Sequence, residues 1–307
     1  MTDQATRVEA FEAHRPLLVS VAYRMLGSLA EAEDVVQEAW LRWDRIDQDA
    51  IEDARAFLVR VTTRLAIDRL RRLKARREAY VGPWLPEPIL TEGDAGEAAE
   101  LAESVSLALL VVLETLSPLE RAVFVLREAF GYSHAEIGEI IGRNEATVRQ
   151  LARRAREHVQ QRQPRFDADQ ATRRRVTERF LAACNNGDVA ALMAILAPGV
   201  TLYADSGGRV RAPRRPIVGA DKVARFFLSV WKTPYREWAG VVEGPDLELR
   251  VVRVNDGPAI LGTAGEQPIG VLTLDVVDGV VQALHFVANP DKLAGLKPKR
   301  RASRGED

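Results

Sequence analysis

The sequence has little cysteine and little histidine: one cysteine, Cys184, and four histidines that lie far apart in the chain. One thiol cannot form a disulfide within the chain or close a structural zinc site by itself. The scattered histidines give no pattern typical of a metal cluster. We therefore predict neither a metal site nor a bound cofactor.

Long hydrophobic runs are also missing. The longest apolar stretch, around residues 107–113, is far shorter than the roughly 18 residues that a helix needs to cross a bilayer. The first residues lack the charged and then apolar pattern of a secretion signal. We therefore predict a cytoplasmic protein without membrane contact.

The chain is long enough for two domains. It has 307 residues, of which 47% are hydrophobic and 28% are charged, and domains commonly have about 150 residues. This composition is typical of folded soluble proteins and excludes collagen-like or disordered chains.

Charge is balanced overall but strongly clustered. The net charge is -1, yet residues 31–53 hold nine acids and two bases, and residues 64–78 hold seven bases and two acids. Residues 82–103 hold six acids, no base and several helix-breaking prolines and glycines, which predicts a linker. Residues 143–162 are basic again, with six arginines and two glutamates. Such clusters are usually solvated surfaces, so their positions must decide their function.

The hydrophobic pattern divides the chain into two kinds of structure. Up to residue 162, apolar residues recur with a helical period, as in residues 26–43 and 57–70. After residue 200, short alternating runs such as 247–254 and 271–277 are separated by turn sequences, which predicts strands and hairpins. We therefore expect an α-helical part followed by an α+β part.

Residues 117–160 show the order of a helix-turn-helix. Two capping boxes, at 117–120 and 133–136, begin successive helices. Gly142 supplies a tight C-cap, and Asn144 caps a third, basic helix. In this motif the last helix enters the major groove of DNA. A plain helical hairpin with a charged face is the alternative interpretation. The residues predicted to face DNA are Thr147, Arg149, Gln150, Arg153, Arg154 and Arg156.

Several separated motifs resemble those of a known family. The runs 32–42 (AEDVVQEAWLR), 65–72 (LAIDRLRR) and 116–121 (LSPLER), together with the helix-turn-helix, resemble regions 2 and 4 of bacterial extracytoplasmic-function (ECF) RNA polymerase sigma factors. Residues 83–88 (PWLPEP) and 289–293 (NPDKL) resemble signatures of the SigJ-type subgroup, which carries a SnoaL-like C-terminal domain. Two departures are the run 205–210 (DSGGRV), where the subgroup more usually has three glycines and a lysine, and Arg64, where many sigma factors have asparagine.

The resemblance implies a multidomain fold: two all-α sigma modules followed by an α+β SnoaL/NTF2-like cone. The implied boundaries are 1–81 for region 2, 82–103 for the linker, 104–163 for region 4, 168–293 for the cone and 294–307 for a basic tail. It also implies an alternative sigma factor that binds core RNA polymerase, through the β′ clamp helices and the β subunit, and directs promoter recognition. Region 2 would capture the minus-ten element and region 4 the minus-thirty-five element. Because the cone is covalently attached to both modules, even a weak interface could restrain them, so we expect it to regulate activity in cis.

The predicted site residues fall into three groups. The implied DNA-binding residues of region 2 are Arg64, Arg69, Arg71, Arg72, Lys74 and Arg76, beside those named above in region 4. The implied polymerase-binding residues are Glu31, Asp34, Glu38 and Arg42. The residues that we expect to carry regulation between domains, within the subgroup motifs and the 205–210 run, are Trp84, Leu85, Pro86, Asp205, Asn289, Pro290, Asp291 and Lys292.

Two other functions stay open at this point. One is a helix-turn-helix repressor that responds to a small ligand in the cone. The other is a SnoaL-like enzyme with a helical partner-binding extension, for which Asp205, Asp246 and His285 are the candidate acids or bases. No pair of these residues has a telling spacing, so we predict no catalytic residue. A small ligand in the cone is a further possibility that the resemblance allows.

Overall fold

The computed structural model describes residues 2–47, 51–77, 79–91, 105–162, 169–232 and 247–296. Contacts divide the chain into two units. We call residues 1–80, 84–87 and 91–166 the helical unit, and residues 81–83, 88–90 and 167–307 the sheet unit. The linker thus contributes residues to both units.

The first half of the helical unit consists of α1 (Thr2–Glu12), α2 (Arg15–Leu26), α3 (Leu29–Asp44) and α4 (Ala54–Arg77). Gly27 ends α2 in the left-handed region, with φ of 69°, a conformation that glycine adopts without steric penalty. The hydroxyl of Ser28 then caps α3 by accepting a hydrogen bond from the Glu31 amide. The apolar faces of α2, α3 and α4 meet in a core that includes Leu18, Val36 and Leu58.

The second half of the helical unit consists of α5 (Leu107–Leu113), α6 (Pro118–Phe124), a π-helical turn (Val125–Ala129), α7 (His134–Ile141) and α8 (Glu145–Arg162). Both predicted capping boxes are present, at Ser117 and at Ser133. Gly142 has φ of 67° and ends α7, and Asn144 Oδ1 accepts from the Thr147 amide at 2.8 Å. The predicted helix-turn-helix is therefore confirmed, whereas the π-helical turn was not expected from the sequence.

The sheet unit contains α9 (Gln170–Asn186), α10 (Val189–Ile195), α11 (Ala220–Lys232) and α12 (Pro290–Leu293), followed by a 3-10 turn (Ala294–Leu296). Its described strands are β1 (Leu196–Asp205), β2 (Ile217–Val218), β3 (Leu247–Val254), β4 (Gly257–Ala264), β5 (Gln267–Val277) and β6 (Val280–Val287). They form one sheet in the order β2-β1-β6-β5-β4-β3, in which β1 and β6 are parallel and the other pairs are antiparallel.

The turns of this sheet follow the sequence pattern. Asn255 and Asp278 have positive φ values, 53° and 51°, in the β3–β4 and β5–β6 hairpins, as the turn residues predicted. One face of the sheet packs on α9, α10 and α11 around a core that includes Phe180, Phe227 and Leu274. The predicted α+β part is therefore confirmed.

Three of the sequence predictions fall on parts of the chain outside the described residues: linker residues 92–103, tail residues 297–307 and the candidate acid Asp246. Within the described ranges, no helix combines the length and hydropathy that crossing a membrane requires.

Candidate nucleic-acid and polymerase interface

Helix α8 presents a basic face. Arg149 and Arg153 are highly exposed, at 61% and 72% of their side chains, and each has a glutamate one turn away on the same helix, Glu145 at 3.2 Å and Glu157 at 3.7 Å. Such exposed pairs contribute little free energy, so both guanidinium groups are available to another anion. Gln150 and Arg154 are also exposed, while Thr147 is half-buried.

The apolar side of α8 explains why this face points outward. Val148, Ala152 and Ala155 are buried against the helical core, and they recur at helical spacing. The remaining positions of the helix therefore carry its polar residues. The arrangement is suited to the major groove, where arginine pairs with guanine and glutamine with adenine.

The bases on α4 fall into different environments. Arg71, Arg72 and Arg76 are exposed, and Arg71 pairs with Asp68 on its own helix at 2.8 Å. These three side chains lie where a nucleic-acid strand could contact them.

Arg64 and Lys74 instead bind the second half of the helical unit. Arg64 donates from Nε to the Ile140 carbonyl at 2.7 Å and from Nη2 to the Glu139 carbonyl at 3.1 Å. Lys74 donates to the Leu116 carbonyl at 3.0 Å. Ile140 and Glu139 are in the last turn of α7, where unpaired carbonyls carry partial negative charge. In this structure both cations therefore join the two halves of the helical unit.

A buried charge cluster adds to the same contact. Glu114, which follows α5, binds Arg77 of α4 through Oε2 and Arg121 of α6 through Oε1. Arg121 is only 2% exposed, and its Nε also donates to the Arg24 carbonyl at 3.1 Å. Burial lowers the pKa of Arg77, against the opposing effect of Glu114. We call Arg77, Glu114 and Arg121 the buried charge cluster.

The linker residue Trp84 completes this region. The Arg77 guanidinium lies 3.4 Å from the centre of the Trp84 ring, a cation–π contact. Lys74, Arg77, Trp84 and Glu114 line an open pocket of about 350 Å³. No role for Glu114 or Arg121 was predicted from the sequence. Glu114 directly follows the apolar stretch 107–113, and Arg121 directly precedes the apolar run 122–126, but the helical pattern alone does not connect either charge to a partner.

The acids on α3 are partly engaged within the unit. Arg69 of α4 binds Glu31 and also Asp34, the latter at 3.2 Å, and the hydrogen bond that Arg69 donates to Glu31 raises the pKa of Arg69. Glu38 pairs with Arg42 at 2.8 Å on the surface of α3. Asp34, Glu38 and Arg42 are exposed, as is Leu41 between them. In this structure Arg69 thus contacts the predicted polymerase-binding surface.

The linker is anchored in the helical unit by Glu87. Its carboxylate accepts from the Ser28 hydroxyl and the Leu29 amide, both at 2.9 Å, which caps the start of α3. Its carbonyl accepts from the Tyr23 hydroxyl at 2.9 Å. The adjacent Leu85 and Pro86 are buried. Sequence analysis singled out this run but not Glu87 itself.

The next linker residues belong to the sheet unit. The Ile89 amide donates to Asn255 Oδ1 at 3.2 Å, and the Asn255 amide donates to the Ile89 carbonyl at 2.8 Å. Leu90 forms an isolated bridge with Val254. These contacts attach residues 89–90 to the turn between β3 and β4.

The predicted regulatory residues near the chain end come together in one cluster. Lys292 donates to the buried carboxylate of Asp205 at 2.6 Å, and the Asp205 carbonyl accepts from the Ala288 amide at 2.7 Å. Asn289 caps α12 through the Asp291 amide. Pro290 and Asp291 are exposed. The two motifs that contain these residues, at 205–210 and 289–293, therefore form one ion-paired corner of the sheet unit.

His285 lies in the middle of the sheet. It is 3% exposed, and its Nε2 is 2.9 Å from Asp275 Oδ2. Tyr203 of the neighbouring strand stacks on its ring. The other described acid–base candidate, Asp205, pairs with Lys292 and not with His285. Among the described residues, no group of three or more histidine, cysteine or carboxylate side chains is placed to hold a metal ion.

Comparison with known proteins agrees with this geometry. The sigma-70 region 2 model matches residues 10–77, and the sigma-70 region 4 model matches residues 106–159. The chain is 40% identical over 309 residues to the ECF RNA polymerase sigma factor SigJ of Mycobacterium tuberculosis, covering 96% of this chain and 95% of that protein. It is 35% identical over 291 residues to the probable ECF RNA polymerase sigma factor SigI of the same species, covering 94% and 95%.

A solved structure resembles the whole architecture. The crystal structure of the Mycobacterium tuberculosis ECF sigma factor SigJ covers 94% of this chain and 98% of its own, with 37% identity and a TM-score of 0.75. The fold and the basic helices thus define a transcription initiation factor with sigma-70 regions 2 and 4 and an α+β C-terminal domain. The chain belongs to the ECF RNA polymerase sigma factor family. It is an alternative sigma factor that directs transcription initiation, so the predicted family, fold class and function are confirmed.

Proposed function

We propose that this sigma factor uses separate surfaces for polymerase and for promoter DNA. The α3 surface of Glu31, Asp34, Glu38 and Arg42 docks on the β′ clamp helices, and region 4 contacts the β subunit. Helix α4 captures the minus-ten element and α8 reads the minus-thirty-five element. The observation that carries the proposal is the exposed basic face of α8 within a fully capped helix-turn-helix. The domain boundaries predicted from the sequence, and a cytoplasmic location beside RNA polymerase, are part of this proposal.

Promoter capture that uses all of the predicted bases of α4 requires region 4 to move away. Arg64 and Lys74 are hydrogen-bonded to region 4 carbonyls, so they cannot meet DNA phosphates in the same arrangement. Hydrogen bonds from charged donors contribute about 1.5–3 kcal/mol each when well buried, and the exposure of Arg64 reduces its share. We infer that the structure is a closed state and that polymerase and DNA select an open one.

Regulation in cis acts through the linker. Trp84 and Glu87 are anchored in the helical unit, while Ile89 and Leu90 are bonded to the sheet unit. A short segment fixed at both ends transmits a restraint from one unit to the other. We propose that the sheet unit stabilises the closed state in this way. We also propose that one cluster of residues maintains the local structure of the sheet unit: Asp205, Asn289, Pro290, Asp291 and Lys292.

The sheet unit acts in this proposal as a regulatory domain and not as an enzyme. The helix-facing side of its sheet is filled by a hydrophobic core that includes Phe180, Cys184 and Phe227, and burial raises the pKa of the Cys184 thiol to about 12. A thiol with that pKa is not a nucleophile at neutral pH.

The sigma function is tested with the full chain and core RNA polymerase on a genomic promoter library. We expect promoter-dependent transcripts, and we expect the double variant Arg149→Gln, Arg153→Gln to lose them about tenfold or more, since each specific arginine contact contributes about 1–3 kcal/mol. The matched control is Arg174→Gln, Arg179→Gln on exposed positions of α9, which should transcribe like the unchanged chain. Absence of any promoter-dependent transcript from the unchanged chain would refute the proposal.

The regulatory role of the linker has its own test. Asn255→Gly keeps the left-handed turn but removes the acceptor for the Ile89 amide, which leaves a buried donor unsatisfied at about 1–3 kcal/mol. We expect faster initiation because the closed state is weakened. The control Asp278→Gly also places glycine at a position of positive φ, in the β5–β6 turn, and should leave the initiation rate unchanged. Equal initiation rates for the two variants would contradict regulation through the linker.

A further inference from the structure

The loop between β1 and β2 forms a cationic surface on the sheet unit. Residues 206–220 contain four arginines and no acidic residue. All four are exposed: Arg209, Arg211, Arg214 and Arg215. We call residues 209–215 the basic loop. Neither polymerase docking nor the predicted promoter contacts use it.

Some surface arginines of the sheet unit are neutralised by an acid on the same helix, whereas most of the basic loop is not. Arg174 of α9 pairs with Glu178 one turn away, and Arg225 of α11 pairs with Asp221. By contrast, among the residues that the structure describes, no carboxylate forms an ion pair with Arg211, Arg214 or Arg215. An unneutralised cluster of this kind creates a positive potential that attracts anions.

The backbone of the basic loop is fixed at both ends. On one side, Asp205 is buried, binds Lys292 and accepts from the Gly207 amide at 3.1 Å. On the other side, β2 pairs with β1 through Thr201 and Val218. Prolines at 213 and 216 restrict the chain between these anchors. The arginines are therefore presented from an ordered segment, which reduces the entropic cost of binding.

A second basic segment follows the same corner in the sequence. Arg209 pairs with Asp291 of α12 at 3.4 Å, an exposed contact at 66% and 67% of the two side chains. The chain then continues through Leu296 into residues 297–307, which contain five bases and two acids. The sequence thus adds basic residues directly after the element that contacts the loop.

We propose that the basic loop binds the phosphate backbone of promoter DNA, as a third contact besides those of regions 2 and 4. The inference rests on the proposed function, because promoter binding brings the DNA to the chain. The guanidinium group matches phosphate geometry with two parallel hydrogen bonds. Contacts of this kind carry affinity but no sequence information. Covalent attachment to two other DNA-binding modules makes even a weak third contact effective.

The test measures the salt dependence of DNA binding by the full chain. The probe is a fluorescein-labelled duplex of about 30 base pairs with a scrambled sequence, titrated by anisotropy between about 50 and 200 mM KCl. The loop variant is Arg211→Gln, Arg214→Gln, Arg215→Gln, which leaves the Arg209–Asp291 pair in place. The matched control is Arg175→Gln, Arg179→Gln, Lys222→Gln, which removes the same charge from exposed helical positions of the same unit.

We expect the loop variant to flatten the slope of log affinity against log salt by about 0.9 for each phosphate that the loop no longer neutralises, and to weaken binding about tenfold at the lower salt. The control should keep the slope of the unchanged chain, and circular dichroism should show both variants folded. Equal slopes for the loop variant and the control would overturn the proposal. An unchanged slope with weaker binding to core polymerase would also overturn it and would assign the loop to an acidic protein surface.

The outcomes separate this inference from the proposed function. If the unchanged chain initiates transcription normally but the loop variant has the same salt slope as the unchanged chain, only the proposed loop contact is refuted. If the loop variant has a flatter salt slope but the unchanged chain yields no promoter-dependent transcript with core polymerase, the proposed function is refuted. The proposed loop contact is then still supported.

Discussion

Replacing Glu114 by glutamine should strongly destabilise the helical unit. The carboxylate of Glu114 is 15% exposed and binds both Arg77, also 15% exposed, and Arg121, 2% exposed. Glu114→Gln keeps the shape of the side chain but leaves two buried guanidinium groups without a counter-charge. Removing one partner of a buried ion pair costs about 3–5 kcal/mol. We expect a loss in this range because the two arginines come from different helices and cannot both turn to solvent.

Hydrogen exchange measured by mass spectrometry locates this loss. Peptides from α5, α6 and the end of α4 should lose about 3–5 kcal/mol of protection, while peptides from β5 and β6 serve as an internal control. The matched variant Glu178→Gln breaks an exposed pair with Arg174, which should cost less than about 1 kcal/mol. A loss below about 1 kcal/mol for Glu114→Gln would refute the reasoning, since the cluster would then contribute no more than a surface pair.

Three further predictions concern single residues. Cys184 should react with iodoacetamide at neutral pH only after unfolding, because burial raises its pKa to about 12; rapid labelling of the native chain would contradict this. The pKa of Glu136 is lowered by its hydrogen bonds with Ser133. The capping box therefore stabilises the fold fully above the pKa of glutamate in the unfolded chain, about 4.3. This stabilisation is lost as pH falls through the lower pKa of the folded chain. The melting temperature difference between the unchanged chain and Glu136→Ala should therefore shrink as pH falls from about 6 to about 3. Gly27→Ala should lower the melting temperature of the helical unit, because the residue has φ of 69° and a Cβ would lie 3.0 Å from the Trp84 ring; an unchanged melting temperature would exclude this packing.

The features that sequence reasoning predicted well are local. Capping boxes, the glycine after α7 and the hairpin turns each depend on residues within four positions of one another, and the structure contains all of them. The exposed basic face of α8 follows from the helical period of Val148, Ala152 and Ala155 in the same way. Local chemistry therefore sufficed to predict an α-helical part followed by an α+β part, and the exposed basic face of α8.

The features that sequence reasoning did not predict are pairings across long separations. Arg64 bonds carbonyls 75 and 76 residues away, and Lys292 pairs with Asp205, 87 residues away. A carbonyl exists at every position, so nothing in the sequence marks the one that a cation binds. The pattern showed that α4 is basic, but not which of its bases bind within the protein.

The closed state has a consequence for how salt acts on this sigma factor. Arg64 and Lys74 bind neutral backbone carbonyls when region 4 is docked, and the proposed open state gives them phosphates instead. A cation–phosphate contact releases condensed counterions and weakens steeply with salt, whereas an intramolecular bond to a carbonyl releases none. In the proposed mechanism, raising salt therefore favours the closed state twice, by weakening DNA binding at α8 and by weakening DNA binding at α4. Because the partners in region 4 are backbone atoms, substitution of region 4 side chains cannot remove these bonds. Substitution at Arg64 or Lys74 can, so in the proposed mechanism these two residues of α4, together with the buried charge cluster, contribute to how readily the helical unit opens.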